Sequence, residues 1–112
     1  MCDKPLAPQF WAFDDVAPHW DRLMLRSHVT EDGARKLYQE GPVAAMLSPQ
    51  ELIGRWRTGA THLPENTLMF CGTLAALGGV RPTGRFEFEL EDPVLGRTIS
   101  HGYSVRTLPI LG

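Results

Sequence analysis

Phe86-Glu87-Phe88-Glu89-Leu90-Glu91 decides the fold class of this chain, because apolar and acidic residues alternate through it without interruption. Successive side chains of a β-strand point to opposite faces, so the pattern predicts a half-buried strand with Phe86, Phe88 and Leu90 on a core and the glutamates in water. Asp92-Pro93-Val94-Leu95-Gly96 has the composition of a turn, and Arg97 to Thr107 is expected to return as the second strand of a hairpin. Upstream, Arg22 to Val29 alternates in the same way: Leu23, Leu25, Ser27 and Val29 share one face, and Arg22, Met24, Arg26 and His28 the other. Asp32-Gly33 supplies the positive φ angles of a tight turn, which makes Ala34 to Gln39 the partner strand.

One helix is well marked. Ser48-Pro49-Gln50-Glu51 places a hydroxyl at the N-cap, a proline at the first helical position and a carboxylate three residues after the cap. Leu52, Ile53 and Trp56 then fall on one side, and the helix is expected to run to about Thr58 and stop at Gly59. Beyond it, Thr67-Leu-Met-Phe-Cys-Gly-Thr-Leu-Ala-Ala-Leu-Gly-Gly79 reads as a strand over Thr67 to Cys71 followed by a loop of small residues. Glycine beside a hydroxyl lets a ligand come close to the backbone, so this stretch is the best candidate wall of a small-molecule site. The predicted architecture is mainly β (α+β), with one helix covering a sheet.

The remaining features bound the function classes. A chain of 112 residues fits a single domain. Nine prolines and eleven glycines break it into short elements. The opening Pro5-Leu-Ala-Pro-Gln-Phe-Trp-Ala-Phe13 reads as an extended, proline-broken arm, followed by a short helical turn capped by Asp14 or Asp15 and limited by Pro18. A net charge of −2 gives no electrostatic footprint for nucleic acid or an anionic membrane. No window approaches the roughly 18 apolar residues of a spanning helix. Acidic and basic residues near the start replace the apolar region of a signal peptide, so a cytoplasmic protein is expected. Cys2 and Cys71 make neither a disulfide framework nor a zinc motif and read as free thiols.

Most chemical readings of single clusters yield to structural ones. Glu87, Glu89 and Glu91 share a strand face on which a divalent ion could bind, but alternation with apolar residues is also what a solvated strand needs. Asp14, Asp15, His19 and Asp21 match no strong metal spacing. His28, His62 and His101 are scattered, and Trp11, Trp20 and Trp56 read as core anchors.

Taken in order, these elements resemble the C-terminal half of the fumarylacetoacetate hydrolase superfamily, most closely an uncharacterised bacterial family of unknown function within it. The residues that carry the likeness are Lys4-Pro5, the hairpin from Arg22 to Gln39, Pro49-Gln-Glu-Leu-Ile53, the run from Thr67 to Gly79 and the strand pair from Phe86 to Thr107. Cys71-Gly72-Thr73-Leu74 stands where the superfamily commonly has Thr-Gly-Thr-Pro, keeping the central Gly-Thr. The resemblance implies a mixed β-sheet roll, incomplete in this chain; the apolar arm and the open strand edges of such a partial sheet favour pairing, so a homo-oligomer is expected. The resemblance also implies C–C bond hydrolysis or decarboxylation of small 2-oxo acids, with Lys4 as the catalytic lysine and Gly72, Thr73 and Gln39 binding substrate. Mg²⁺ or Mn²⁺ is implied for a full-length relative, held by Glu-x-Glu and an aspartate upstream of the Lys4 segment. Those ligands have no counterpart after Met1, so no metal ligand and no cofactor are expected in this chain. Two alternatives stay open. One is a hydrolase-superfamily domain, inactive alone for want of its metal segment; the other is a non-catalytic oligomerisation or ligand-binding module.

Overall fold

The computed structural model describes residues 3–111, and the expected free thiol of Cys2 lies outside them. The chain folds as α1 (Phe13–Val16), a 3-10 segment Ala17–Arg22, β1 (Met24–Glu31), β2 (Ala34–Pro42), a 3-10 turn Val43–Ala45, α2 (Pro49–Trp56), β3 (Arg85–Asp92) and β4 (Arg97–Ser104). The strands form one sheet in the order β2-β1-β3-β4. Every pairing is antiparallel, where the resemblance implied a mixed sheet. The molecule is thus mainly β with minor helix. Among the described residues no helix is long and apolar enough to cross a membrane.

Both hairpins form where local chemistry places them. Asp32 and Gly33 take φ of 50° and 77°, the left-handed angles needed between β1 and β2. Register pairs Ser27 with Gln39 but His28 with Leu37, so Tyr38 is the extra residue of a β-bulge. The bulge sends Tyr38 and Gln39 to the same side of the sheet. Tyr38 is buried edge-on to Phe86, their ring centroids 6.2 Å apart.

The sheet has one apolar and one ionic face. Leu23, Ser27 and Val29 are buried, and Phe86 and Phe88 lie half-buried beside them. On the ionic face Arg26 donates to Glu40 at 2.8 Å and lies 3.5 Å from both Glu89 and Glu91, while Arg35 donates to Glu87 at 3.0 Å. The glutamates therefore serve a solvated, cross-linked face. A small core under the amino-terminal arm joins Val16, Leu23 and Val43, with Trp11, Trp20, Met46 and Leu90 against it.

Three expectations are corrected. Residues 57–84 contain no strand, so the strand expected at Thr67 to Cys71 is absent. A strand needs a ladder of backbone bonds along a sheet edge, and among the described residues the one backbone–backbone hydrogen bond from this segment to β2 is Leu77 N–H to Tyr38 O at 2.7 Å. Leu68 and Phe70 are consequently 75% and 61% exposed. Second, α2 forms with its full Ser48–Glu51 capping box but ends at Trp56 and buries no residue, so it does not cover the sheet as expected. Trp56 is 49% exposed and is no core anchor. Third, α1 begins at Phe13 after an N-cap Ala12 that makes no side-chain cap; Asp14 and Asp15 lie in its first turn instead.

Candidate functional site

The site is built where the 72–77 loop meets the bulged end of β2. Gln39 lies opposite Ser27, whose hydroxyl donates to Gln39 Oε1 at 2.8 Å. With the amide oxygen so engaged, its Nε2 faces the loop and donates to Thr73 Oγ1 at 2.8 Å and to Leu74 O at 2.6 Å. Gln39 thus ties a segment without secondary structure to the sheet. Leu74 lies close against the strand because residue 41 is glycine: a Cβ there would be 3.3 Å from Leu74 Cδ1. Gly72 adopts φ of 110°, a conformation that side chains rarely allow.

Further along, Arg81 fastens the end of this loop. Its guanidinium pairs with Glu31, donates to Leu77 O at 2.8 Å and Gly79 O at 2.9 Å, and lies 5.1 Å from the Tyr38 ring centroid. The Arg81 hydrogen bond outweighs desolvation and holds the Glu31 carboxyl below its usual range. The loop is therefore held by a neutral amide at one end and a cation at the other.

Between loop and sheet lies a cavity of about 100 Å³. Gly72 and Thr73 form its exposed rim, Ser27 and Gln39 contribute neutral hydrogen-bonding groups, and half-buried apolar side chains line the remainder. Arg26 borders it, but its guanidinium is bonded to Glu40, a contact that raises its pKa and keeps its charge on the ionic face. A larger hollow of about 170 Å³ lies among His28, Arg35, Glu87 and Glu89. Glu87 and Glu89 there are already paired with Arg35 and Arg26, so that hollow belongs to the charged face rather than to the loop site.

The cavity wall does not fit a magnesium-type ion. Such ions take oxygen ligands and favour carboxylates, yet the lining contains neither aspartate nor glutamate. Among the described residues no group of three or more His, Cys, Asp or Glu is placed to hold a metal. Three of the residues singled out from the sequence, Gln39, Gly72 and Thr73, meet at this one cavity. Lys4 does not: it lies in the exposed arm and is absent from the lining.

Compared with known families, residues 1–103 match the model described as "Protein of unknown function (DUF2848)". The chain belongs to the DUF2848 family. No curated protein and no solved structure matches it.

The DUF2848 chain also carries a polar centre that the sequence reading missed. Asp92 is wholly buried at the β3–β4 turn. Its Oδ1 accepts from the backbone N–H groups of Val94 and Leu95, both at 3.1 Å, and Oδ2 accepts from Arg97 Nε at 3.2 Å. His19 Nε2 approaches Oδ1 to 2.9 Å, an ion-pair distance without an aligned hydrogen bond. Burial pushes the Asp92 carboxyl up, but His19, Leu95 N–H and Arg97 together hold it below its usual value. Arg97 in turn stacks on Trp11 at 4.4 Å, fastening the arm to the turn. The one available signal was an aspartate opening a turn, which reads equally well as surface turn chemistry.

Proposed function

We propose that this chain is a hydrolase-superfamily domain, related to the metal-dependent C–C hydrolases and decarboxylases of the fumarylacetoacetate hydrolase superfamily, whose Gly72–Thr73 rim binds a small 2-oxo acid. The single observation that carries the reading is the 2.8 Å hydrogen bond from Gln39 to Thr73, which brings residues far apart in sequence into one wall. Because Gln39 donates to the Thr73 oxygen, the hydroxyl proton is directed away from that bond. Its own acceptor, Leu74 O, is 3.3 Å away. A ligand oxygen approaching the rim competes with this long contact at small cost, since hydrogen bonds weaken as they lengthen. Gly72 offers no side chain to obstruct that approach. The superfamily's metal chemistry is assigned by the resemblance to metal-bearing members of that superfamily, and no step on this chain's residues runs through it. The reading includes a cytoplasmic location.

The test is titration of the purified chain with oxaloacetate and acylpyruvates, with and without Mg²⁺ or Mn²⁺, followed by NMR and calorimetry. Binding that perturbs the Gly72 and Thr73 amides and is lost in Thr73→Val supports the assignment. Unchanged binding in that variant overturns it.

A second reading has its own support. Large apolar side chains at Phe10, Leu68, Phe70, Val80 and Ile110 are exposed, and where such side chains gather into one patch they mark an interaction site. On this reading the chain is a non-catalytic oligomerisation or ligand-binding module and forms a homo-oligomer. Light scattering that gives a monomer at all concentrations refutes it; a stable oligomer without turnover of any 2-oxo acid favours it.

A further inference from the structure

The cavity behind the Gly72–Thr73 rim has a composition that bears on which part of a ligand enters it. Its depth is walled by Leu25, Met46, Leu74, Phe86 and Phe88, all half-buried, and its polar groups are the neutral Ser27 and Gln39. Ser27 is 3% exposed, and its hydroxyl is spent on Gln39. The Gln39 amide is spent on Ser27, Thr73 and Leu74. Arg26, the one charged residue at the wall, holds Glu40 at 2.8 Å and faces Glu89 and Glu91. A carboxylate pushed into this space would thus meet no cation and no uncommitted side-chain donor, and burying an unpaired charge is costly. An alkyl group would meet carbon and sulfur.

We propose that this cavity is a subsite for the uncharged, apolar end of the ligand, so that the site selects 2-oxo monocarboxylates with short alkyl tails over dicarboxylates. Size sets the tail length. An apolar cavity of about 150 Å³ accommodates benzene, so the cavity here, about 100 Å³, holds roughly four carbon atoms by the same scale. The head group stays at the exposed rim with Gly72 and Thr73, while the tail contacts Met46 and Phe88. This inference rests on the reading of the rim as a 2-oxo acid site, but the cavity's preference for an apolar group can be measured apart from it.

The experiment titrates the full chain with unbranched 2-oxo monocarboxylates of increasing tail length, with oxaloacetate and 2-oxoglutarate, and with the neutral ketones butanone and 2-pentanone. Methyl NMR signals of Leu25, Met46 and Leu74 report occupancy. Affinity is expected to rise about fourfold per methylene until the tail reaches roughly four carbons, then level or fall. The dicarboxylates are expected to bind at least about tenfold more weakly, and the ketones to shift the same methyl signals. Met46→Ala, which removes part of the wall, moves the optimum to longer tails. Equal or tighter binding of dicarboxylates, or affinity independent of tail length, overturns the subsite while leaving the 2-oxo acid reading intact. Ketones that bind where no oxo acid does overturn that reading and keep the apolar subsite. Failure of every probe to move these signals overturns both.

Discussion

The β3–β4 turn and the loop at residues 72–77 are both irregular backbone held by one side chain, yet the two holders differ in kind. At the turn, a fully buried carboxylate, Asp92, accepts from two backbone N–H groups and from Arg97, with His19 closing the ring. At the loop, a half-buried neutral amide, Gln39, joins Ser27, Thr73 and Leu74. A buried charge repays its desolvation only when it is surrounded by partners, so Asp92 marks a place where the structure is tightly specified. An amide tolerates water at its margin, and Gln39 leaves room for a cavity beside the groups it joins. The contrast teaches where rigidity is concentrated and where a ligand can enter.

Substitutions at the two regions should separate along that line. The largest loss is expected at the closed end: Leu23, 1% exposed and packed with Val16 and Val43, should lose about 2–5 kcal/mol on Leu23→Ala, measured by urea denaturation. If this variant unfolds no more easily than wild type, the small core under the arm is not what stabilises that end.

Asp92 should reveal itself through pH. Its folded pKa lies below its ordinary value. The stability it contributes is therefore present above the unfolded pKa of about 4 and lost as pH falls through the lower, folded one. Glu31 contributes with the same sign, so the informative quantity is a difference. Thermal melts from pH 6 to pH 2 should show a steeper acid loss in wild type than in Asp92→Asn. Parallel curves would mean that the carboxylate at the turn carries no ionic role.

At the open end the effects should be smaller and local. Gln39→Ala strips partners from Ser27 and Leu74, which should cost about 1–3 kcal/mol. Hydrogen exchange at Leu77 N–H should quicken while amides shared by β1 and β3 keep their protection. Uniform acceleration across the sheet would show instead that loop and sheet open as one unit. The smallest effect is expected at α2, which buries no residue and depends on its capping box. Ser48→Ala should cost about 1 kcal/mol, read as a decrease in helical circular dichroism with the sheet intact.

Much of the frame was legible because it depends on residues a few positions apart. Alternation in Phe86 to Glu91 decides the facing of β3, Asp32-Gly33 decides a turn, and Ser48-Pro49-Gln50-Glu51 decides a helix start. The loop was misread for an equally plain reason. Thr67 to Cys71 has the apolar content of a strand, but a strand also needs a ladder of backbone partners, and the segment's backbone meets the open edge of β2 at Leu77, beyond the expected strand. Of the candidate site, Gln39, Gly72 and Thr73 could be named singly; their meeting depends on the bulge at Tyr38, which no spacing announced.

By itself, then, the sequence determined the hairpins, the capped helix and the two chemical faces of the sheet, since these follow from backbone geometry and solvation acting over a few residues. Tertiary structure alone decided the strand order, the side to which the bulge turns Tyr38 and Gln39, the irregular path of the 72–77 loop and the burial of Asp92. Each of those depends on which backbone groups and charges remain to be satisfied once distant segments have come together.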